Sequence, residues 1–147
     1  MNAYVCKICK YIAIDGEAPE RCPVCGAGKS AFEENQSAIK QPQDPDNLSD
    51  LEKKHIPAIT VVKKCGLIPN ECTDVHVKLG EIKHPMEEAH YIMHIDFYID
   101  KKFVARTHLT SERLNAAAAL HLKPGSGQIG AIALCNQHGA WFNEVEL

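Results

Sequence analysis

The sequence predicts an all-β chain in two parts. A small four-cysteine metal domain comes first, and an antiparallel β-sandwich of immunoglobulin-like type follows. Three observations carry this. Two CxxC pairs fall near the N-terminus. A polar stretch with two prolines, Pro42 and Pro45, comes next. From residue 58 on, short apolar runs of strand type alternate with turn residues, about seven strands in all. The predicted boundaries are 1–35 for the metal domain, 36–50 for a linker and 51–147 for the sandwich.

In the first part, Cys6-Lys-Ile-Cys9 and Cys22-Pro-Val-Cys25 are separated by twelve residues. Each CxxC turn points two thiolates toward one centre, so two turns close a tetrahedral site that suits iron or zinc. So short a segment cannot bury enough apolar surface alone, and the metal supplies part of its folding energy. In the linker, prolines favour extended backbone. Ser49-Asp50-Leu51-Glu52 then has the form of a capping box opening a short helical turn, which Pro57 stops.

The sandwich strands follow in order. Ala58–Val62 is the first. Val75, Val77 and Leu79 alternate with polar residues in the second, as a half-buried strand does. In the third, Tyr91, Met93, Ile95, Phe97 and Ile99 share one face, and a turn at Asp100–Lys102 leads to a strand ending near Leu109. The alanine run Asn115–Leu120 has helical propensity, yet Ala118–Leu122 is assigned to a strand. The segment Leu122–Leu134 reads as a hairpin, and Trp141–Val145 is the last strand.

Bulk properties exclude several classes. A net charge of −3 gives no reason to expect nucleic-acid or membrane binding. No apolar run approaches the ~20 residues of a membrane span. No signal peptide is visible, so the cytoplasm is expected. Seven cysteines there read as metal ligands or free thiols rather than disulfides.

On spacing alone the remaining donors read equally as a second metal site or as ordinary solvated histidines and a buried, inert cysteine. Lys54-His55-Ile56-Pro57, His84-Pro85-Met86-Glu87-Glu88-Ala89-His90 and Cys135-Asn136-Gln137-His138-Gly139 offer four imidazoles and one thiolate. Five ligands exceed a closed tetrahedral zinc site and leave one position of an octahedral ion open. His76, His94, His108 and His121 are read as solvated or hydrogen-bonded, Glu87 and Glu88 as solvated, and Cys65 and Cys72 as small core or loop residues, with a redox pair or an accessory metal site as the alternative.

These three motifs resemble the iron-binding motifs of the superoxide reductase (desulfoferrodoxin, neelaredoxin) family, in the family's order. The resemblance implies the same sandwich fold. It also implies iron bound by His55, His84, His90 and His138 in one plane, with Cys135 on the axis and the sixth position open. Backbone N–H groups of the Asn136-to-His138 turn are expected to donate to the Cys135 sulfur. The implied activity is one-electron reduction of superoxide to hydrogen peroxide, with Lys54 drawing in the anion and organising a proton-donating water. The alternative is a non-catalytic iron-binding electron-transfer protein. The family usually has Glu immediately before this lysine, where the chain has Lys53, with Glu52 one residue further away.

The N-terminal stretch resembles a rubredoxin, especially the short-loop type attached to rubrerythrins. Tyr4, Tyr11 and Phe32 match that family's aromatic core, and the resemblance implies iron on Cys6, Cys9, Cys22 and Cys25. A zinc-bound docking element is the competing reading of this domain. Lys10 stands where rubredoxins usually have glycine, so a slightly altered turn is expected. The common two-domain superoxide reductases carry a desulforedoxin-type module here instead. The resemblances further imply an external electron donor, such as rubredoxin or a rubredoxin reductase, and a homo-oligomer.

Overall fold

Eleven strands and one α-helix make up the chain, described for all residues 1–147 by a computed structural model. The N-terminal part is an antiparallel sheet of β1 (Ala3–Cys6), β2 (Ile12–Ile14) and β3 (Phe32–Glu34), in the order β2-β1-β3. The cysteine pairs sit on tight turns, closed by Lys10 N–H donating to the Cys6 carbonyl and Gly26 N–H to the Cys22 carbonyl. Both turns end in left-handed backbone, with φ of 65° at Lys10 and 78° at Gly26. Lys10 thus keeps the conformation glycine would take, and no altered turn results. The strain of about 1 kcal/mol is offset by the turn hydrogen bond and the clustering of the four thiols.

The larger part is a sandwich of two sheets. One contains β5 (Pro57–Val62), β6 (Thr73–Leu79) and β9 (Ala117–Leu122), in the order β5-β6-β9. The other contains β4 (Ile39–Lys40), β7 (Ile92–Ile99), β8 (Lys102–His108), β10 (Gln128–Cys135) and β11 (Gly139–Glu146). Its order is β4-β11-β10-β7-β8. Alternate residues of β6 (Val75, Val77, Leu79) meet Ile95, Phe97, Ile129, Ala131 and Ala133 in one apolar core. The β7–β8 turn uses positive φ at both Asp100 (48°) and Lys101 (65°), the twist a two-residue hairpin needs.

Three sequence expectations need correction. β7 is buried on both faces rather than one: His94, Asp96 and Tyr98 lie inside along with Ile95 and Phe97. The N-terminal part covers the outer face. Tyr98 donates to the Ile12 carbonyl at 2.7 Å, and Tyr11 stacks on Tyr98 at 6.2 Å and meets Phe103 edge-on at 5.3 Å. One apolar cluster therefore joins Ala3, Ile12 and Ile14 to Ile132 and Phe142. Second, Leu122–Leu134 is not a hairpin. β9 pairs with β6, while β10 pairs with β7 and β11, so the connection crosses between sheets. The glycines suggested a tight turn, but β10 is apolar enough to be sandwiched on both faces. Third, the polar stretch before the sandwich is not all linker, because Ile39 and Lys40 pair in parallel with Ala140 and Trp141. The alanine run becomes strand β9 because β6 offers it a full ladder, a tertiary contact that overrides helix propensity.

Candidate metal centres

The four N-terminal thiols converge. Cys6 and Cys25 Sγ are 3.7 Å apart, Cys9 and Cys22 Sγ 3.5 Å, and all four lie within 4.8 Å of one another. The edge of a tetrahedron with metal–sulfur bonds of 2.3 Å is about 3.8 Å, so the spacing matches one ion at the centre. Burial raises the Cys6 thiol, but the N–H groups of Cys9 and Ile8, together with the neighbouring Cys25 and Cys9 thiols, bring it down to about 7. Tyr11 packs edge-on against Phe32 at 6.3 Å beside the site.

The second centre begins at helix α1 (Asp50–His55). Its capping box is complete: Ser49 Oγ accepts from Glu52 N–H, and Glu52 Oε2 accepts from Ser49 N–H at 2.7 Å. Glu52 Oε1 accepts from Gln43 N–H at 3.1 Å. These bonds hold its carboxyl below the usual range and occupy both oxygens. The helix ends on His55, only 1% exposed, with Lys54 exposed beside it. Gly80 lets the end of β6 reach the helix, since a Cβ there would stand 2.0 Å from the Lys53 carbonyl oxygen, and its φ is +74°. Gly80→Ala is expected to cost about 2 kcal/mol and to lower iron retention by shifting His55. Thermal melting and iron analysis check this.

The imidazoles form a closed ring. Centroids are 4.6 Å apart for His55 and His84, 4.8 Å for His84 and His90, 5.0 Å for His90 and His138, and 4.8 Å for His138 and His55. The diagonal from His55 to His90 is 6.3 Å. His55 and His84 face each other through Nε2 at 3.1 Å, and His138 Nδ1 lies 3.2 Å from His90 Nε2. Ligands at right angles on bonds of about 2.1 Å stand about 3.0 Å apart. Cys135 Sγ lies 3.7 Å from His138 Nδ1. The donor atoms of His55, His90, Cys135 and His138 lie within 4.8 Å of one another. His84 joins them through its Nε2, which sits against His55 Nε2, and its ring closes the cycle.

The tautomers make the case for a cation. His55 Nδ1 lies 2.7 Å from the Leu51 carbonyl, and His84 Nδ1 2.7 Å from the Pro85 carbonyl. Carbonyl oxygens only accept, so each Nδ1 carries the ring proton. Burial lowers the pKa of both rings, His84 to about 4, which keeps them neutral at pH 7. Two bare Nε2 lone pairs therefore face each other, and a metal ion between them resolves the repulsion. The residues present fit iron.

The surroundings pin the ligands. Asn136 Oδ1 accepts from Tyr91 N–H at 3.0 Å, and Asn136 Nδ2 and Gln137 Nε2 donate to the Ala89 carbonyl at 3.1 and 2.6 Å. This ties the loop carrying His90 to the β10–β11 turn carrying Cys135 and His138. The expected donation from that turn to the Cys135 sulfur is not observed; Asn136 N–H donates to the Tyr91 carbonyl at 3.1 Å. Two neighbours were missed by sequence reasoning. Lys40 Nζ donates to the His138 carbonyl at 2.8 Å, Trp141 Nε1 donates to it at 3.0 Å, and Trp141 lies 5.2 Å from the His55 ring. No motif marks Lys40; only the pairing of β4 brings it here.

Of the histidines outside the ring, His76 and His108 are exposed as expected. His94 is buried beside Asp96 at 3.8 Å. Cys72 is buried and Cys65 lies in the β5–β6 loop, and both gather with Asp74 and His121.

A four-thiol site docked on a sandwich that carries four imidazoles and a thiolate defines a protein with two non-haem iron sites. The desulfoferrodoxin family model matches residues 47–144, and that of the rubrerythrin rubredoxin-like domain matches residues 4–33. The chain belongs to the desulfoferrodoxin family. It is 34% identical over 106 residues to the superoxide reductase of Pyrococcus abyssi, an alignment covering 65% of this chain and 88% of that one. It is 28% identical over 147 residues to the desulfoferrodoxin of Syntrophotalea carbinolica, covering 98% and 96%. The solved superoxide reductase (neelaredoxin) of Ignicoccus hospitalis superposes with a TM-score of 0.59 at 27% identity, covering 75% of this chain and 94% of that one. These relatives support an oxidoreductase role. No helix is long and apolar enough to cross a membrane.

Proposed function

We propose that the chain is a superoxide reductase that converts superoxide to hydrogen peroxide, with one electron and two protons consumed per superoxide and no O₂ formed. The observation that carries this is the closed ring of four imidazoles with a thiolate beside it and no carboxylate among the five donors. A pure electron carrier gains nothing from an open coordination position. Iron held by these five side chains would supply one-electron redox chemistry, with an external donor as its source of electrons.

The chain's own residues do the rest. His55, His84, His90 and His138 would hold the iron, and Cys135 would add an electron-rich sulfur donor to it. Glu52 is committed to the helix cap and Gln43 and would not serve as a further ligand. Lys54 is exposed, and its charge acts on His90. With a net charge of −3 the whole chain repels a small anion, so attraction must be local. Lys54 draws superoxide in and positions a water that delivers a proton to the departing peroxide.

Stopped-flow mixing of reduced protein with superoxide tests this. Rapid oxidation of the His/Cys iron with peroxide and without O₂ is expected; oxygen release, or no reaction, rejects it. Lys54→Ala is expected to slow the encounter by about 10-fold and to flatten its dependence on ionic strength.

A further inference from the structure

We propose that Cys65, Cys72, Asp74 and His121 form a third metal site, one that takes a borderline-soft divalent ion such as zinc. It does not depend on the superoxide reading. β6 separates it from the iron centre, with Thr73 at one end and Leu79, next to Gly80 and helix α1, at the other. Seven residues of strand put about 20 Å between the two.

The four donor atoms lie within 4.8 Å of one another. His121 Nδ1 is 3.2 Å from Cys65 Sγ, 3.5 Å from Cys72 Sγ and 2.8 Å from Asp74 Oδ1, and Cys72 Sγ is 3.5 Å from Asp74 Oδ1. Two sulfurs and a carboxylate oxygen thus converge on one ring nitrogen, more than a single proton serves well. A central ion serves all four. Two thiolates, an imidazole and a carboxylate complete a tetrahedral shell of the kind structural zinc sites use.

The backbone around Cys65 repeats what the chain does at its N-terminal site. At Cys6 the N–H groups of Ile8 and Cys9, two and three residues on, lower the thiol's pKa, and those of Val24 and Cys25 do so at Cys22 against the raising effect of burial. Cys65 Sγ receives N–H groups from Leu67 and Ile68, each at 3.3 Å and at the same spacing. This turn favours a thiolate. The spacing resembles CxxC with the second cysteine replaced by Ile68, and Cys72 supplies the missing sulfur from the far end of the loop. Asp74 and His121 are cross-strand partners on β6 and β9, so the sheet itself sets their approach. On binding, both thiol protons leave, His121 keeps its proton on Nε2, and the contact between Nδ1 and Asp74 opens by about 0.5 Å to tetrahedral spacing. The ion then fastens the β5–β6 loop to both neighbouring strands.

Metal analysis of the full-length protein, loaded with iron and then with zinc, tests the proposal. Wild type should carry three metal equivalents, with zinc beyond the two irons. Cys72→Ser and Cys65→Ser/Cys72→Ser should each carry two, with both iron spectra unchanged as the check on folding. Cobalt titration of iron-loaded wild type should give one equivalent with tetrahedral cobalt–thiolate absorption. No third equivalent in wild type, a zinc content unchanged by either variant, or a Cys65–Cys72 disulfide seen by mass in the loaded protein overturns it.

Discussion

Cys135→Ser is expected to abolish the thiolate-to-iron absorption of the sandwich site and leave the four-cysteine spectrum intact. The reaction with superoxide should fall by at least about 100-fold, since even residues that only orient a ligand cost 10 to 100-fold when removed. The sulfur is 2% exposed at the end of β10, beside the ring of imidazoles. Serine keeps the shape but would bind as a hard, weakly donating alcohol, so the electron-rich sulfur is lost while the four rings remain. Iron should still bind, held by His55, His84, His90 and His138, and the change is therefore electronic rather than structural. Iron analysis beside rapid-mixing kinetics separates the two. Unchanged kinetics with full iron would remove the thiolate from the mechanism.

Much of this site was legible because its ligands come in short motifs. His84 and His90 flank one loop, and Cys135 and His138 one turn, so each motif carries its own local geometry. The capping box at Ser49 was equally local. What the sequence concealed depends on long-range contact. Lys40 reaches His138 only because two residues of a polar stretch add a strand to the sheet. Which ring nitrogen of His138 faces inward is settled by the turn after Cys135 and not by residue type. The grouping of Cys65 and Cys72 with Asp74 and His121 depends on the β6–β9 register, and the alanines of β9 gave the wrong propensity signal for that strand. The burial of both faces of β7 was hidden for the same reason: His94 and Asp96 look like solvent positions until the N-terminal sheet is laid over them.

That last contact yields the largest stability effect expected. Asp96 is 1% exposed, and its two oxygens accept from Arg106 Nε and Nη2, while Arg106 Nη1 donates to the Cys9 carbonyl at 2.7 Å. One guanidinium thus neutralises a buried carboxylate and anchors a metal-bearing turn. Arg106→Leu leaves the carboxylate buried without its partner, at a cost of about 3–5 kcal/mol. Asp96→Leu/Arg106→Leu removes both charges and should recover most of it. The pH dependence has a definite sign. Burial raises the Asp96 carboxyl, and Arg106 opposes this; without Arg106 the folded state holds the proton more tightly than the unfolded chain. The single variant is therefore least impaired below about pH 4, the ordinary carboxylate value, and loses stability as pH rises through the raised folded value. Urea midpoints at pH 5 and pH 8 for wild type, single and double variants check this. Equal losses in the single and double variants, or no widening of the single variant's loss at pH 8, would mean that the guanidinium acts through Cys9 alone and that Asp96 is not the charge it neutralises.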